Sequence, residues 1–144
     1  MHQSIINFTN IQNSIKENQE KTNNKNNIKI IAVSKTFEIS HINPLIDYGH
    51  TDFGENKVQE AIEKWSDIKL KNQNLSLHLV GKLQTNKTKL ALKIFDYIHS
   101  LDSEKLANKI SEEQKKIDKK PKLFIQVNIG NEDQKSGVNP NKLK

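Results

Sequence analysis

The chain has 144 residues, a single-domain length, and its 23 basic residues, all lysine, outnumber 17 acidic ones to give a formal charge of +6 at pH 7. Because it has no arginine, it lacks the bidentate guanidinium contacts that usually read bases and grip phosphates, which argues against a nucleic-acid-binding module. The lack of cysteine excludes disulfides and thiolate metal sites, and the sequence shows neither a signal-peptide pattern nor a membrane-spanning run, so we expect a cytoplasmic protein without a membrane partner.

Short apolar runs alternate with longer helical patterns along the chain. Residues 4–20 predict a leading helix, and a polar loop follows it. Strands are predicted at residues 29–34, 51–54, 75–81, 97–102 and 122–130, and helices between them at 40–48, 55–68, 86–95 and 103–117. Ser40 is the predicted N-cap of the second helix and Gly49 its stop, and Asp102 or Ser103 is the predicted cap of the last helix.

The predicted strands begin about every two dozen residues, which is typical of compact repeated βα units. Such units build either an open, doubly wound sheet or a closed (βα)8 barrel. No G-x-G-x-x-G or P-loop follows any strand, so the barrel is favoured over the nucleotide-binding open sheet. Asn139 and Pro140 predict a helix beginning where the sequence stops, so we expect a TIM-type barrel truncated to about five βα units, with exposed strand edges.

Lys35 ends the first predicted strand, in register with Ile31 and Val33, at the barrel edge where ligands bind. Apolar neighbours that partly desolvate its amine would lower its pKa and supply the neutral form that attacks an aldehyde to give a Schiff base. The alternative is a strand-end lysine that reaches into water. The residue pattern around Lys35 favours this second interpretation when it is taken alone.

The second predicted strand ends in DFGENKVQE. Gly54 permits close backbone approach, and Asn56 either bonds a ligand oxygen or caps the next helix. The five histidines show no metal-ligand spacing with one another, and Ser34 lacks the flanking G-x-S-x-G of a serine nucleophile. The sequence therefore predicts no metal site.

Polar candidates also follow two later strands. In HLVGKLQTNKTK, Gly81 ends a strand, and the residues after it form either an anion-binding loop or a turn capped by Asn86; the loop candidates are Gln84, Asn86 and Lys87. In IQVNIG, Gln126 and Asn128 alternate with apolar residues, and buried amides of this kind need a partner from a ligand or a neighbouring strand.

The segments AVSKT, FGENKVQE, HLVGKLQTNK and FIQVNIGNEDQKSG resemble, in order and spacing, those of the pyridoxal phosphate homeostasis protein family, which is similar to the N-terminal barrel of alanine racemase. The resemblance covers residues 28–138. It implies a fold type III (βα)8 barrel that holds pyridoxal 5'-phosphate (PLP) as an internal aldimine. Lys35 matches the family's PLP lysine, and Asn56 matches an asparagine near the cofactor. Gly54, Gly81 and Asn128 are further candidate PLP contacts.

The resemblance also implies a role. Members of the family are not known for robust turnover; they bind PLP, buffer it and hand it over, so that vitamin B6 and amino-acid pools stay in balance. The expected partners are PLP and the PLP-dependent apoenzymes that receive it, and a monomer is expected. The alternative is a PLP-dependent enzyme of the alanine racemase type, which is disfavoured because the chain offers only Tyr48 and Tyr97 as tyrosines and no arginine.

The resemblance implies one incomplete domain over residues 1–144. An N-terminal helix and loop would occupy residues 1–27, five βα units would occupy 28–138, and the start of the next helix would occupy 139–144. Members of the family continue through further strands that carry their phosphate-binding residues. We therefore expect these 144 residues to bind PLP weakly or not at all.

Overall fold

The computed structural model describes residues 1–133 and 136–143. Its five strands are β1 (Ala32–Val33), β2 (Asp52–Glu55), β3 (Ser76–Leu79), β4 (Tyr97–Leu101) and β5 (Lys122–Ile125). They form one parallel sheet in the order β1-β2-β3-β4-β5, with each strand beside the next one in the chain. This order has no reversal, which a doubly wound sheet requires, so the open-sheet alternative is wrong for these strands.

The helices are α1 (Gln3–Thr22), α2 (Ile39–Tyr48), α3 (Val58–Lys71), α4 (Thr88–Ile94) and α5 (Glu104–Ile117), and 3-10 turns occupy Thr85–Lys87 and Pro140–Lys142. Gly49 ends α2 at a φ of +103°, as predicted. Ser103 caps α5 by accepting the Leu106 N–H at 3.1 Å, as predicted. Ser40 as an N-cap is wrong, because α2 begins one residue earlier and Glu38 occupies that position without a side-chain bond.

The described residues leave out three that carried expectations. Gln134 and Lys135 belong to the fourth segment of the family resemblance, and Lys144 ends the predicted start of a further helix; all three lie outside the described residues. Within them, Asn139 accepts the Asn141 N–H at 3.0 Å and Pro140 begins the last 3-10 turn, as the capping pattern predicted. Among the described helices, none combines the length and the apolarity needed to cross a bilayer.

One face of the sheet is covered by helices. Phe53, Leu77 and Ile98, from three neighbouring strands, are at most 1% exposed and belong to one buried apolar cluster. Trp65 of α3 and Leu106 of α5 complete that cluster from the helix side. Burying each such side chain contributes about 1.5–3 kcal/mol, so this face holds the fold together.

None of the described helices covers the opposite face, which we call the open face; it comprises Ile31, Val33, Gly54, His78, Val80, Tyr97, His99 and Phe124. Val33 is 49% exposed and Phe124 is 51% exposed. The sheet's two outer strands each have one neighbour, and all four residues of β5 are exposed. β1 is shorter than predicted because, among the described strands, it pairs with β2 alone, and β2 begins at Asp52, one residue before the Phe53 that pairs with Ala32.

Candidate functional site

Lys35 lies in the turn that follows β1, at the carboxyl edge of the sheet. Val33 pairs with Gly54, and the next residue, Ser34, donates its N–H to the Gly54 carbonyl oxygen at 2.8 Å. Lys35 is exposed and has no hydrogen bond or ion pair with any described residue. The expectation of an amine partly desolvated by its strand neighbours is therefore wrong for the described residues, whereas its position at this edge is as expected.

A buried carboxylate lies beneath that turn. Glu55 is fully buried on the helix-facing side, and its Oε1 accepts three hydrogen bonds: from Ser34 Oγ at 2.8 Å, from Lys64 Nζ at 2.9 Å and from Trp65 Nε1 at 2.9 Å. A buried charge is tolerated only with such partners. Glu55 thereby joins the end of β1 to α3.

A second carboxylate of α3 contacts the same turn. Glu60 Oε1 accepts the Thr36 N–H at 2.7 Å and contacts Lys64 Nζ at 3.2 Å. The Thr36 N–H, and then the neighbouring Lys64 ammonium, hold the pKa of Glu60 below its ordinary value. Lys64 also donates to the Ser34 carbonyl oxygen at 2.8 Å. Sequence reasoning missed this cluster, although Glu55 lies two residues after the buried Phe53 and so had to share its face.

Asn56 does not cap α3. The N-cap position is Lys57, which makes no side-chain capping bond, so the capping alternative for Asn56 is wrong. The Oδ1 atom of Asn56 is buried and has no hydrogen-bond partner among the described residues. A Cβ added at Gly81 would lie 2.3 Å from the Asn56 carbonyl oxygen, so only glycine lets the end of β3 pack against Asn56.

Gly54 keeps the open face clear beside β1. A Cβ at this position would lie 3.1 Å from Ile31 Cγ2, 3.4 Å from Val33 Cγ2 and 3.5 Å from Val80 Cγ1. Three apolar side chains therefore surround a position that has no side chain of its own. The buried, unpaired Oδ1 atom belongs to Asn56, two residues further along the chain.

The candidate anion loop lies elsewhere. Gln84 precedes the 3-10 turn Thr85–Lys87 without a side-chain capping bond, and Asn86 lies inside that turn, so a cap at Asn86 is wrong. Asn86 lines a surface groove together with Lys105 and Lys109 of α5. The structure thus places Asn86 on the helical exterior, apart from the open face.

The two amides after β5 bond within their own segment. Gln126 Nε2 donates to the Ser136 carbonyl oxygen at 3.2 Å. Asn128 Nδ2 donates to the Glu132 carbonyl oxygen at 2.7 Å, and Asn128 Oδ1 accepts the Glu132 N–H at 3.2 Å. The strand ends at Ile125, earlier than predicted, so these side chains close a loop and do not line a strand.

A titratable network occupies the open face toward the amino ends of the strands. His78 Nε2 contacts Asp52 Oδ1 at 2.9 Å, and His78 Nδ1 contacts His99 Nε2 at 2.9 Å, while the His78 ring stacks on Tyr97 with centroids 4.1 Å apart. Lys29 Nζ lies 3.2 Å from the same Asp52 oxygen. Sequence reasoning missed this cluster, because its members lie on β2, β3 and β4 and, for Lys29, in the segment before β1.

Burial sets the protonation of this network. It lowers the pKa of His78, although the Asp52 carboxylate opposes the shift, and it lowers the pKa of His99. Burial acts to raise the pKa of Asp52, but hydrogen bonds from His78, Lys29 and Thr51 bring it below its ordinary value. A neutral His78 therefore donates its Nε2–H to the ionised Asp52, and its Nδ1 accepts a hydrogen bond from the Nε2–H of His99. Within the described residues, no group of three or more His, Asp or Glu side chains is placed to bind a metal ion.

Comparisons with known proteins place the chain in a family. It matches the family described as alanine racemase, N-terminal domain, over residues 6–144. The pyridoxal phosphate homeostasis proteins of Pasteurella multocida (strain Pm70) and Haemophilus influenzae are 40% and 41% identical to it, over 93% and 87% of this chain. The chain spans 56% and 53% of those two proteins, about half the length of the curated relatives it matches.

Solved structures give the same result. Two structures of PipY of Synechococcus elongatus PCC7942 are similar to this chain. The PipY structure without PLP has a TM-score of 0.77 and 36% identity, and the one with PLP bound has a TM-score of 0.74 and 35% identity. Both comparisons cover 88% of this chain, and they cover 60% and 59% of the PipY chains. The chain therefore belongs to the alanine racemase N-terminal domain family, and the curated relatives that it resembles are pyridoxal phosphate homeostasis proteins.

Proposed function

We propose that this chain carries the cofactor lysine of a PLP-binding protein, and that Lys35 holds PLP as a Schiff base. The single observation that carries the proposal is the setting of Lys35. It is an unpartnered, exposed amine at the carboxyl edge of a parallel sheet, and it follows a strand whose last residue pairs with Gly54. The names of the curated relatives and the PLP-bound PipY structure support the choice of ligand.

The residues around Lys35 fit such a group. Two residues past the pair Val33–Gly54, each strand leads to one candidate contact, Lys35 on one side and Asn56 on the other. The buried, unpaired Oδ1 of Asn56 can accept a hydrogen bond from a hydroxyl group, and the apolar side chains around Gly54 suit the face of an aromatic ring. Gly81 acts on the same site by its contact with the Asn56 backbone.

The other predicted contacts have different settings. Asn128 is bonded to Glu132, so its proposed part is to shape the loop after β5. Gln84, Asn86 and Lys87 stay proposals as an anion-binding loop, on a surface that Asn86 shares with α5.

When bound, PLP supplies a reactive aldehyde and an electron-accepting ring. Lys35 would hold this group through its side-chain nitrogen, which would replace the aldehyde oxygen with release of one water molecule.

A carrier is favoured over an enzyme by the position of the tyrosines. Tyr97 is the first residue of β4 and Tyr48 is the last residue of α2, so both lie toward the edge of the sheet opposite to Lys35. The Tyr97 hydroxyl also accepts a hydrogen bond from Lys122 at 3.3 Å. A racemase needs a second acid or base across the cofactor, and neither tyrosine is placed for that role.

The wider parts of the proposal concern the whole protein. We propose that the strand order seen here is part of a closed (βα)8 barrel, with residues 1–144 forming one domain of it. We also propose that the protein keeps PLP and amino-acid pools in balance by passing PLP to apoenzymes, as a monomer in the cytoplasm. The names of the relatives as homeostasis proteins support this role.

Trapping by borohydride tests the Schiff base even where equilibrium binding is weak. The chain is incubated with PLP and reduced, and the label on each lysine is measured by peptide mass spectrometry. We expect Lys35 to carry more label than Lys82, an exposed lysine after β3 at the same edge, and Lys35→Ala but not Lys82→Ala to remove the visible absorbance band. Label spread evenly over the exposed lysines would overturn the proposal, and racemisation of alanine would favour the enzyme alternative.

A further inference from the structure

The turn that carries Lys35 contains a backbone conformation that its sequence disfavours. Thr36 has a φ of +66°, in the left-handed region that β-branched residues rarely adopt. Such a residue persists only where its surroundings hold it, and strained positions of this kind concentrate at functional sites. The peptide group between Lys35 and Thr36 must therefore be held from outside the turn.

Helix α3 contacts both peptide groups that flank Lys35. On the amino side, Lys64 Nζ donates to the Ser34 carbonyl oxygen at 2.8 Å. On the carboxyl side, Glu60 Oε1 accepts the Thr36 N–H at 2.7 Å. Because Glu60 and Lys64 are four residues apart, they lie on one face of α3, and their charged groups are 3.2 Å apart. The pair thus hydrogen-bonds to the backbone immediately before and immediately after Lys35.

The Lys64 end of this contact is shielded from water. The Lys64 side chain is 9% exposed, and it also binds the fully buried Glu55, which in turn accepts the Ser34 hydroxyl. Partly buried ion pairs are screened by salt much less than surface pairs. The contact of Lys64 with the turn is therefore part of the packed interior, unlike the exposed Lys109–Glu112 pair of α5.

We propose that Glu60 and Lys64 are positioning residues for the Lys35 amine, an inference that rests on the proposed Schiff base at Lys35. The Lys35 side chain has no partner among the described residues, so its backbone is what fixes the point and direction from which it leaves the turn. The Glu60–Lys64 pair fixes that backbone and so directs the amine toward the open face. Without the pair, Thr36 relaxes to a negative φ, and the amine spends most of its time pointing elsewhere.

The test compares variants by the ratio of label on Lys35 to label on Lys82 after PLP and borohydride. A reacting group that is displaced from its productive position reacts at least about tenfold more slowly. We therefore expect Glu60→Ala and Lys64→Met each to lower the labelling ratio about tenfold. Glu60→Gln keeps an oxygen that can accept the Thr36 N–H, and we expect it to retain most of the ratio. The matched control is Glu63→Gln, an exposed carboxylate on the same helix, with an unchanged ratio.

A second measurement separates positioning from a loss of structure. We expect the circular dichroism spectrum of Glu60→Ala to match that of the unaltered chain, while hydrogen exchange at the Thr36 amide becomes at least about tenfold faster. If the unaltered chain and Glu60→Ala both label Lys35 in preference to Lys82, and by the same ratio, the positioning role is overturned and the proposed function stands. If the unaltered chain labels Lys35 no more than Lys82, the proposed function is overturned. In that case, hydrogen exchange at the Thr36 amide still tests the contact with Glu60, and equal exchange in Glu60→Ala and the unaltered chain overturns the positioning role.

Discussion

Replacing Trp65 by phenylalanine tests whether the buried Glu55 carboxylate depends on its partners. Trp65 is fully buried, its ring centroid lies 5.0 Å from that of Phe53, and its Nε1 donates to Glu55 Oε1 at 2.9 Å. Phenylalanine keeps an aromatic ring against Phe53 but has no donor. Glu55 would then keep only Ser34 and Lys64, while its Oε2 already has no partner among the described residues.

The expected cost has two parts. Loss of a hydrogen bond to a buried charged acceptor costs about 1.5–3 kcal/mol. The smaller ring lacks two of the buried ring carbons besides the nitrogen, which costs about 1.6 kcal/mol at roughly 0.8 kcal/mol per carbon group. Together, the free energy of unfolding should fall by about 3–5 kcal/mol, a large share of the roughly 5–15 kcal/mol typical of a domain.

Urea unfolding followed by far-ultraviolet circular dichroism measures this change, because Trp65 is the chain's one tryptophan and its fluorescence is lost with it. The matched control is Phe95→Leu, which removes a fully buried ring without a polar partner. If Trp65→Phe costs no more than Phe95→Leu, then the indole N–H contributes nothing to holding Glu55, and the reasoning about this buried network is wrong.

Two further predictions concern packing and pH. Gly81→Ala should lower the free energy of unfolding by about 1–3 kcal/mol, because the added Cβ would lie 2.3 Å from the Asn56 carbonyl oxygen. The control Gly130→Ala should be nearly neutral, because no described atom beyond its chain neighbours would lie nearer than 3.5 Å to its Cβ. Equal urea midpoints for the two variants would contradict this prediction. Burial lowers the pKa values of His78 and His99 below 6.5. The neutral histidines therefore contribute fully to the free energy of unfolding above that pH, and this contribution is lost as the pH falls through their pKa values in the folded state. The urea midpoint should therefore drop between about pH 7.5 and about pH 5.5, and a constant or rising midpoint would contradict it.

Local signals predicted the helices and the order of the strands well. Gly49 and Ser103 act within a few residues of their own positions, through a left-handed backbone and a single side-chain bond. Ser40 failed because the start of α2 is set by packing, since Ile42 is 4% exposed and lies in the main core, and the helix then begins after Glu38 without any side-chain cap.

Strand ends and the candidate site depend on partners far away in sequence. The position of Lys35 followed from alternation along one strand, which is local. The length of β1 did not, because it is set by pairing with β2, which joins only Ala32 to Phe53 and Val33 to Gly54. The partners of Glu55 lie 9, 10 and 21 residues away, so no short window shows them together. Only the shared face of Phe53 and Glu55 signalled that a charge would be buried there.

That shared face also explains how one strand serves two purposes. In β2, Phe53 and Glu55 point toward the helices, where Glu55 meets Lys64 beneath the Lys35 turn. Gly54 points the other way and leaves space on the open face beside Val33. A shift of one residue in the pairing of β1 with β2 would exchange these roles, because alternate residues lie on opposite faces. It would bring the Glu55 charge onto the open face and remove the support under the turn. The register Val33–Gly54 is therefore as much a part of the site as Lys35 itself.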